Sequence, residues 1–127
     1  MTQHTDIKRM LAAILYLDNA EEINDETPLS QYGFSSLDFI DFCYEVQSNI
    51  SQKLEPQVIW PFQAMAADRK VFDGANWTPE GWESVRAELG LSADHPQVLP
   101  GDLSQFMTVS FLGGRIAKMS KSFEGAL

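Results

Sequence analysis

The chain has 127 residues, 44% hydrophobic and 21% charged, enough for one globular domain with its own core and too apolar for disorder. Its net charge of −9 and pI near 4.5 argue against nucleic acid or anionic lipid as a partner and favour proteins with basic docking faces. Cys43 is the only cysteine and sits in an apolar run, which predicts a buried small hydrophobe with no disulfide framework. Two histidines, His4 and His95, with one cysteine give no metal-ligand spacing. There is no secretory-signal pattern at the start and no apolar run near the roughly 20 residues of a membrane span, so the expectation is a cytoplasmic protein without membrane insertion.

Residues 5–17, "TDIKRMLAAILYL", place Ile7, Met10, Leu11, Ile14 and Leu15 at helical spacing, with Thr5 or Asp6 available as cap. The polar stretch that follows predicts a long connection anchored by Ile23 and Leu29. After Gly33, a helix is predicted from about Ser36 to Asn49. Its apolar residues, Leu37, Phe39, Ile40, Phe42, Cys43, Tyr44 and Val46, sweep more than half the circumference. Asp38, Asp41 and Glu45 share the remaining sector of roughly 60°, so the helix reads as largely buried with one acidic stripe in water. Carboxylates three and four apart repel by a few tenths of a kcal/mol per pair, and no lysine is interleaved among them. Such a stripe is either a solvated face or a docking face.

Pro61 sets a boundary, and Phe62, Met65, Ala66 and Phe72 predict an amphipathic helix ending near Gly74. In "NWTPEGWESVRAELGL", Thr78 is the N-cap and Pro79 the first helical residue. Trp77 and Trp82 are spaced as a hydrophobic staple, and Gly90-Leu91 reads as a Schellman stop. After a loop and a helical turn near residues 103–107, Thr108 caps a last helix that turns Val109, Leu112 and Ile116 inward. Gly113 and Gly114 should each cost that helix about 0.5–1 kcal/mol, which close approach to another element would offset. No strand pattern or repeat appears, and the fold class is all-α.

The segment "QYGFSSLDF" carries the functional signal. A helix N-terminus presents unpaired N–H groups and partial positive charge, so a serine there is placed to carry a phosphodiester. These residues resemble the acyl carrier proteins and their peptidyl relatives. In that family a Gly, any residue, usually Asp, then the modified Ser and a Leu open the second helix of a small bundle. Gly33, Phe34, Ser35, Ser36 and Leu37 fill those slots, and Asp38 follows as in the fatty-acid carriers. The first helix, the approach "INDETPLSQYG" and the last helix "TVSFLGGRI" are similar as well, so about half of the chain takes part. Two departures stand out. Ser35 occupies the usual Asp slot, and Ser36 lies 72 positions before Thr108 (108 − 36), more than twice the minimal interval.

The resemblance implies an acyl-carrier-like four-helix bundle in one domain, residues 1–127, enlarged by an insertion at about 56–100. It implies 4'-phosphopantetheine esterified to Ser36 by a separate phosphopantetheinyl transferase. The arm's thiol would hold acyl intermediates as thioesters, in a specialised fatty-acid, lipid or polyketide-like pathway. It further implies no catalytic or metal-binding residues, and a monomer. Asp38, Asp41 and Glu45 would be the face read by acyl-transferring or condensing enzymes through basic patches. Part of the second helix's apolar face, with Gly113 and Gly114 opposite, could leave room for a sequestered acyl chain, although packing the core is the plainer role. The aromatics of the insertion, Trp60, Phe62, Trp77 and Trp82, are expected to be core. The competing reading is an unmodified carrier-fold adaptor that binds partners through its acidic helix.

Overall fold

A computed structural model describes the backbone of residues 3–125. The α-helices are α1 (Gln3–Ile14), α2 (Ser36–Asn49), α3 (Pro56–Ile59), α4 (Phe62–Ala66), α5 (Pro79–Leu89) and α6 (Val109–Gly125). Short 3₁₀ segments lie at Ala20–Glu22, Leu29–Tyr32 and Pro100–Phe106. Among the described residues, extended pairing is confined to an isolated bridge between Phe72 and Trp77, and the chain is all-α.

Helix α1 packs against α2 and α6, and α3 against both α2 and α6. Between them lies a core built on Ile7, Leu11, Phe42, Val46, Leu112 and Ile116, all fully buried. Each such side chain contributes about 1.5–3 kcal/mol by leaving water. The connection from α1 to α2 is fastened at the expected anchors, since Ile23 and Leu29 are buried. Polar bonds complete the fastening. The Leu29 N–H donates to Met107 O (2.9 Å), Asn24 N–H to the Tyr32 hydroxyl (2.8 Å), and the Ser110 hydroxyl to Glu26 Oε2 (2.6 Å).

A second core adjoins the first: Trp60, Phe62, Trp77, Val85 and Leu103 are buried together. Trp60, Phe62 and Trp77 are therefore core as expected, while Trp82 is half-buried at the edge of this cluster. Phe39, Met107 and Phe111 pack against both cores and join them. A polar clamp does the same. Arg115 of α6, nearly buried, pairs through Nη1 with Glu88 Oε1 of α5 and donates from Nε to Val58 O of α3 (2.8 Å).

Local chemistry sets the helix ends. Gly81 N–H donates to Thr78 Oγ1 (3.0 Å), Pro79 opens α5, and Leu91 N–H bonds Arg86 O (3.0 Å) over Gly90 in the left-handed region. Phe111 N–H donates to Thr108 Oγ1 (3.1 Å), so Thr108 caps α6, and Val109, Leu112 and Ile116 point inward.

Four expectations require correction. Helix α1 begins at Gln3, which leaves Thr5 and Asp6 inside its first turns, with the cap position outside the described residues. The same helix stops at Ile14 instead of running through Leu17, because the chain closes into a Schellman-type turn. There Leu17 N–H bonds Ala12 O (2.9 Å) and Tyr16 takes the left-handed conformation (φ 59°). The helix expected to reach Gly74 ends at Ala66. Asp68 Oδ1 takes the Lys70 N–H, and Asp73 Oδ1 takes those of Ala75 and Asn76, so local turns outcompete helix extension. Finally, Gly113 is buried but Gly114 is exposed, and a Cβ there would meet nothing within 4 Å.

A close approach is found at Gly81, where a Cβ would stand 2.1 Å from the Val71 carbonyl oxygen. Thermal unfolding should therefore separate two glycines of similar helical setting. Gly81→Ala should destabilise by about 1–3 kcal/mol because backbone must move, whereas Gly114→Ala should stabilise by about 0.5–1 kcal/mol.

Candidate functional site at the start of the second helix

The approach to α2 is a sequence of short-range constraints. The turn Leu29–Tyr32 ends on Gly33, whose φ of 83° lies where a side chain is strained, and Gly33 N–H bonds Ser30 O (3.1 Å). Two residues on, Ser35 is the N-cap. Its backbone N–H and its hydroxyl both donate to Asp38 Oδ2 (2.8 and 3.0 Å), and Asp38 N–H donates back to Ser35 Oγ (3.2 Å). This is a capping box with Asp at the third helical position.

The two serines are thereby separated by role. Ser35 is consumed by the cap. Ser36, the first helical residue, is exposed, and among the described residues its hydroxyl makes no hydrogen bond. It sits at the positive end of a 14-residue helix, where an anion gains about 0.3–1 kcal/mol from the helix dipole. These features fit a phosphodiester: an accessible hydroxyl, unhindered backbone and favourable local potential.

Ser36 also lines a cleft of about 510 Å³. On its own side lie Phe34, Ser35 and Phe39; across from them are Trp60, Phe62 and Ala66, with Gly101, Ser104 and Met107 closing the end. Sequence reasoning missed this cleft, because its walls come from segments far apart in the chain. Neither Gly113 nor Gly114 lines it; on the inward face of α2, Phe42, Cys43 and Val46 are buried in the core, while Phe39 is half-buried and lines the cleft.

The outer face of α2 also differs from its helical reading. Leu37, Ile40 and Tyr44 were expected within the buried sweep, yet they are 77%, 54% and 68% exposed. Among the described residues no element packs over that side, so the buried arc is narrower than the apolar arc. Asp41 and Glu45 are exposed beside them, while Asp38 is half-buried and bound to Ser35. The three carboxylates border one groove of about 410 Å³ between α1 and α2, together with Met10, Tyr16 and Tyr44. The face is therefore mixed, acidic and apolar.

Residues 5–63 match the family model described as a phosphopantetheine attachment site. The match spans just under half of the chain and runs through α3 into α4, so it takes in residues 56–63. Comparisons with curated proteins and with solved structures find no significant match. Phosphopantetheine-attachment domains are where 4'-phosphopantetheine is covalently held, and they are typically non-catalytic. They generally interact with a phosphopantetheinyl transferase and with acyl-handling enzymes. Among the described residues, no three His, Cys, Asp or Glu side chains are grouped to hold a metal, and no helix is long and apolar enough to cross a membrane.

Cys43 is buried in the core, and burial pushes its thiol from an ordinary 9.0 up to about 12. The folded state holds this proton more tightly than the unfolded chain. Its contribution is thus complete below pH 9.0 and is lost as pH rises toward 12. At pH 8 the native, unmodified protein should show no titratable thiol with a disulfide reagent, and should show one after denaturation. A native thiol count above zero would then report a pantetheine arm.

Proposed function

We propose that the protein is an acyl carrier whose arm is attached at Ser36. The observation that carries this reading is the division of labour at the helix start: Ser35 caps and Ser36 is left free, in a segment of the phosphopantetheine-attachment family. In this reading a phosphodiester forms between Ser36 Oγ and the phosphopantetheinyl phosphorus of coenzyme A, and 3',5'-ADP leaves. The attached arm supplies a thiol that holds acyl groups as thioesters. The chain's own residues position and present it: Gly33 turns the backbone, Ser35 and Asp38 fix the helix start, and the N–H groups of the first turn stabilise the added negative charge.

Partner recognition is assigned to the outer face of α2. Asp38, Asp41 and Glu45 steer basic docking faces of a transferase and of acyl-transferring or condensing enzymes. The exposed Leu37, Ile40 and Tyr44 supply the desolvated contact. The chain acts as a cytoplasmic monomer without catalytic residues of its own. Its residues form one carrier domain with an insertion near 56–100, serving a specialised fatty-acid, lipid or polyketide-like pathway.

Intact-mass measurement after incubation with coenzyme A and a broad-specificity transferase tests the attachment. One phosphopantetheine should be gained, and Ser36→Ala should abolish the gain while changing stability by less than about 0.5 kcal/mol. Ser35→Ala should retain the modification but lose about 1 kcal/mol of stability with its cap. No gain with any transferase of the source cell would favour the unmodified adaptor. For docking, the double variant Asp41→Asn, Glu45→Gln should slow the transferase reaction about 3- to 10-fold at low salt. That difference should shrink near 0.5 M salt, where screening extends over only a few ångströms; an undiminished difference would argue against steering.

A further inference from the structure

Two hydroxyls stand side by side at the start of α2, and a transferase that delivers one arm must distinguish them. Access does not do so: Ser35 and Ser36 are both exposed, and both border the same cleft. Their bonding differs. Asp38 Oδ2 accepts from the Ser35 N–H (2.8 Å) and from the Ser35 hydroxyl (3.0 Å), and the Asp38 N–H donates to Ser35 Oγ (3.2 Å). A single residue thus engages Ser35 Oγ through its proton and through a lone pair. Asp38 is half-buried in doing so, unlike Asp41 and Glu45, which are exposed further along the helix.

We propose that Asp38 selects which serine is modified: it is a positioning residue that withholds Ser35 from the transferase and so directs the arm to Ser36. The inference rests on the attachment at Ser36 argued above and gives Asp38 a task separate from steering. Two physical effects act together. The first concerns the attack. The attacking hydroxyl gives up its proton and turns a lone pair to the phosphorus of coenzyme A, the Oγ–P bond forms, and 3',5'-ADP leaves. Ser35 would have to break both of its Oγ bonds to Asp38 to do this, and one of them is made to a charged group, the stronger kind. The second concerns the product. An ester at Ser35 would set the negative charge of the phosphodiester against the Asp38 carboxylate, in place of the hydroxyl proton which that carboxylate now accepts. Like charges so close repel. Neither effect acts at Ser36, whose hydroxyl makes no hydrogen bond among the described residues. Losing one hydrogen bond to a charged group corresponds to about 10- to 100-fold in rate, enough to turn a mixture of two esters into a single product.

The test is a gain of modification, which a loss of stability cannot imitate. Full-length wild type, Ser36→Ala, and Ser36→Ala combined with Asp38→Ala or with Asp38→Asn would be incubated with coenzyme A and the broad-specificity transferase. Intact mass counts the arms and fragmentation locates them. Ser36→Ala alone should stay unmodified. With Asp38→Ala added, Ser35 should accept the arm about 10- to 100-fold faster than in Ser36→Ala alone. Asp38→Asn removes the charge and keeps the shape, so it serves where melting curves show that the alanine variant does not fold; a gain on Ser35 in either one supports the selection. Ser36→Ala with Asp41→Ala, which removes an exposed carboxylate of the same helix, should stay unmodified. Folded double variants at Asp38 that gain nothing on Ser35 would overturn the selection and leave attachment at Ser36 standing. An equal gain in the Asp41→Ala control, or in Ser36→Ala alone, would overturn it too. Failure of wild type to gain mass would overturn the attachment itself, and this inference with it.

Discussion

The hydrogen bonds between Ser35 and Asp38 govern the site. A helix start must satisfy its first N–H groups, and either neighbouring hydroxyl could have served. Because the box closes on Ser35, with its hydroxyl both donating and accepting, the next hydroxyl is left free at the positive end of the helix. A shift of the cap by one residue would turn Ser36 into the bound partner and remove its availability. The turn on Gly33 sets the frame for this arrangement, since the left-handed backbone there directs Phe34 toward the cleft and the core and brings Ser35 to the cap.

Helix α2 then divides its surface three ways. One side, through Phe42, Cys43 and Val46, is committed to the bundle. The N-terminal end faces the cleft through Ser36 and Phe39. The outer side keeps Leu37, Ile40 and Tyr44 in water next to the carboxylates. Exposed apolar side chains at helical spacing cost solubility, and the interleaved negative charge offsets that cost while discouraging self-association.

The second core is not a loose appendage. It shares Phe39, Met107 and Phe111 with the first, and α5 is tied to α6 by the nearly buried guanidinium of Arg115. Removing Glu88 would leave the nearly buried Arg115 guanidinium without its carboxylate, whereas Glu88 itself is partly exposed and has Lys118 close by.

Much of this was legible in the chain. Thr78-Pro79, Gly90-Leu91, Thr108 and Gly33 act through bonds spanning a few residues, so their consequences are fixed by local geometry, and the family match on residues 5–63 agrees with the reading of Gly33 to Leu37. What failed was whatever depended on neighbours from elsewhere. The periodicity of α2 shows which residues share an arc but not which part of that arc another element covers, hence the misplacement of Leu37, Ile40 and Tyr44. Nor could adjacency show that Gly81 rather than Gly114 meets foreign backbone, or that Trp60, Ala66 and Ser104 converge beside Ser36. Sequence determined the helical class and the caps at Thr78 and Thr108, and singled out Ser36 as a candidate, because those rest on short-range hydrogen bonding. Tertiary structure alone decided which apolar surfaces are buried and where the cleft lies, because burial is settled by what packs against a residue from distant parts of the chain.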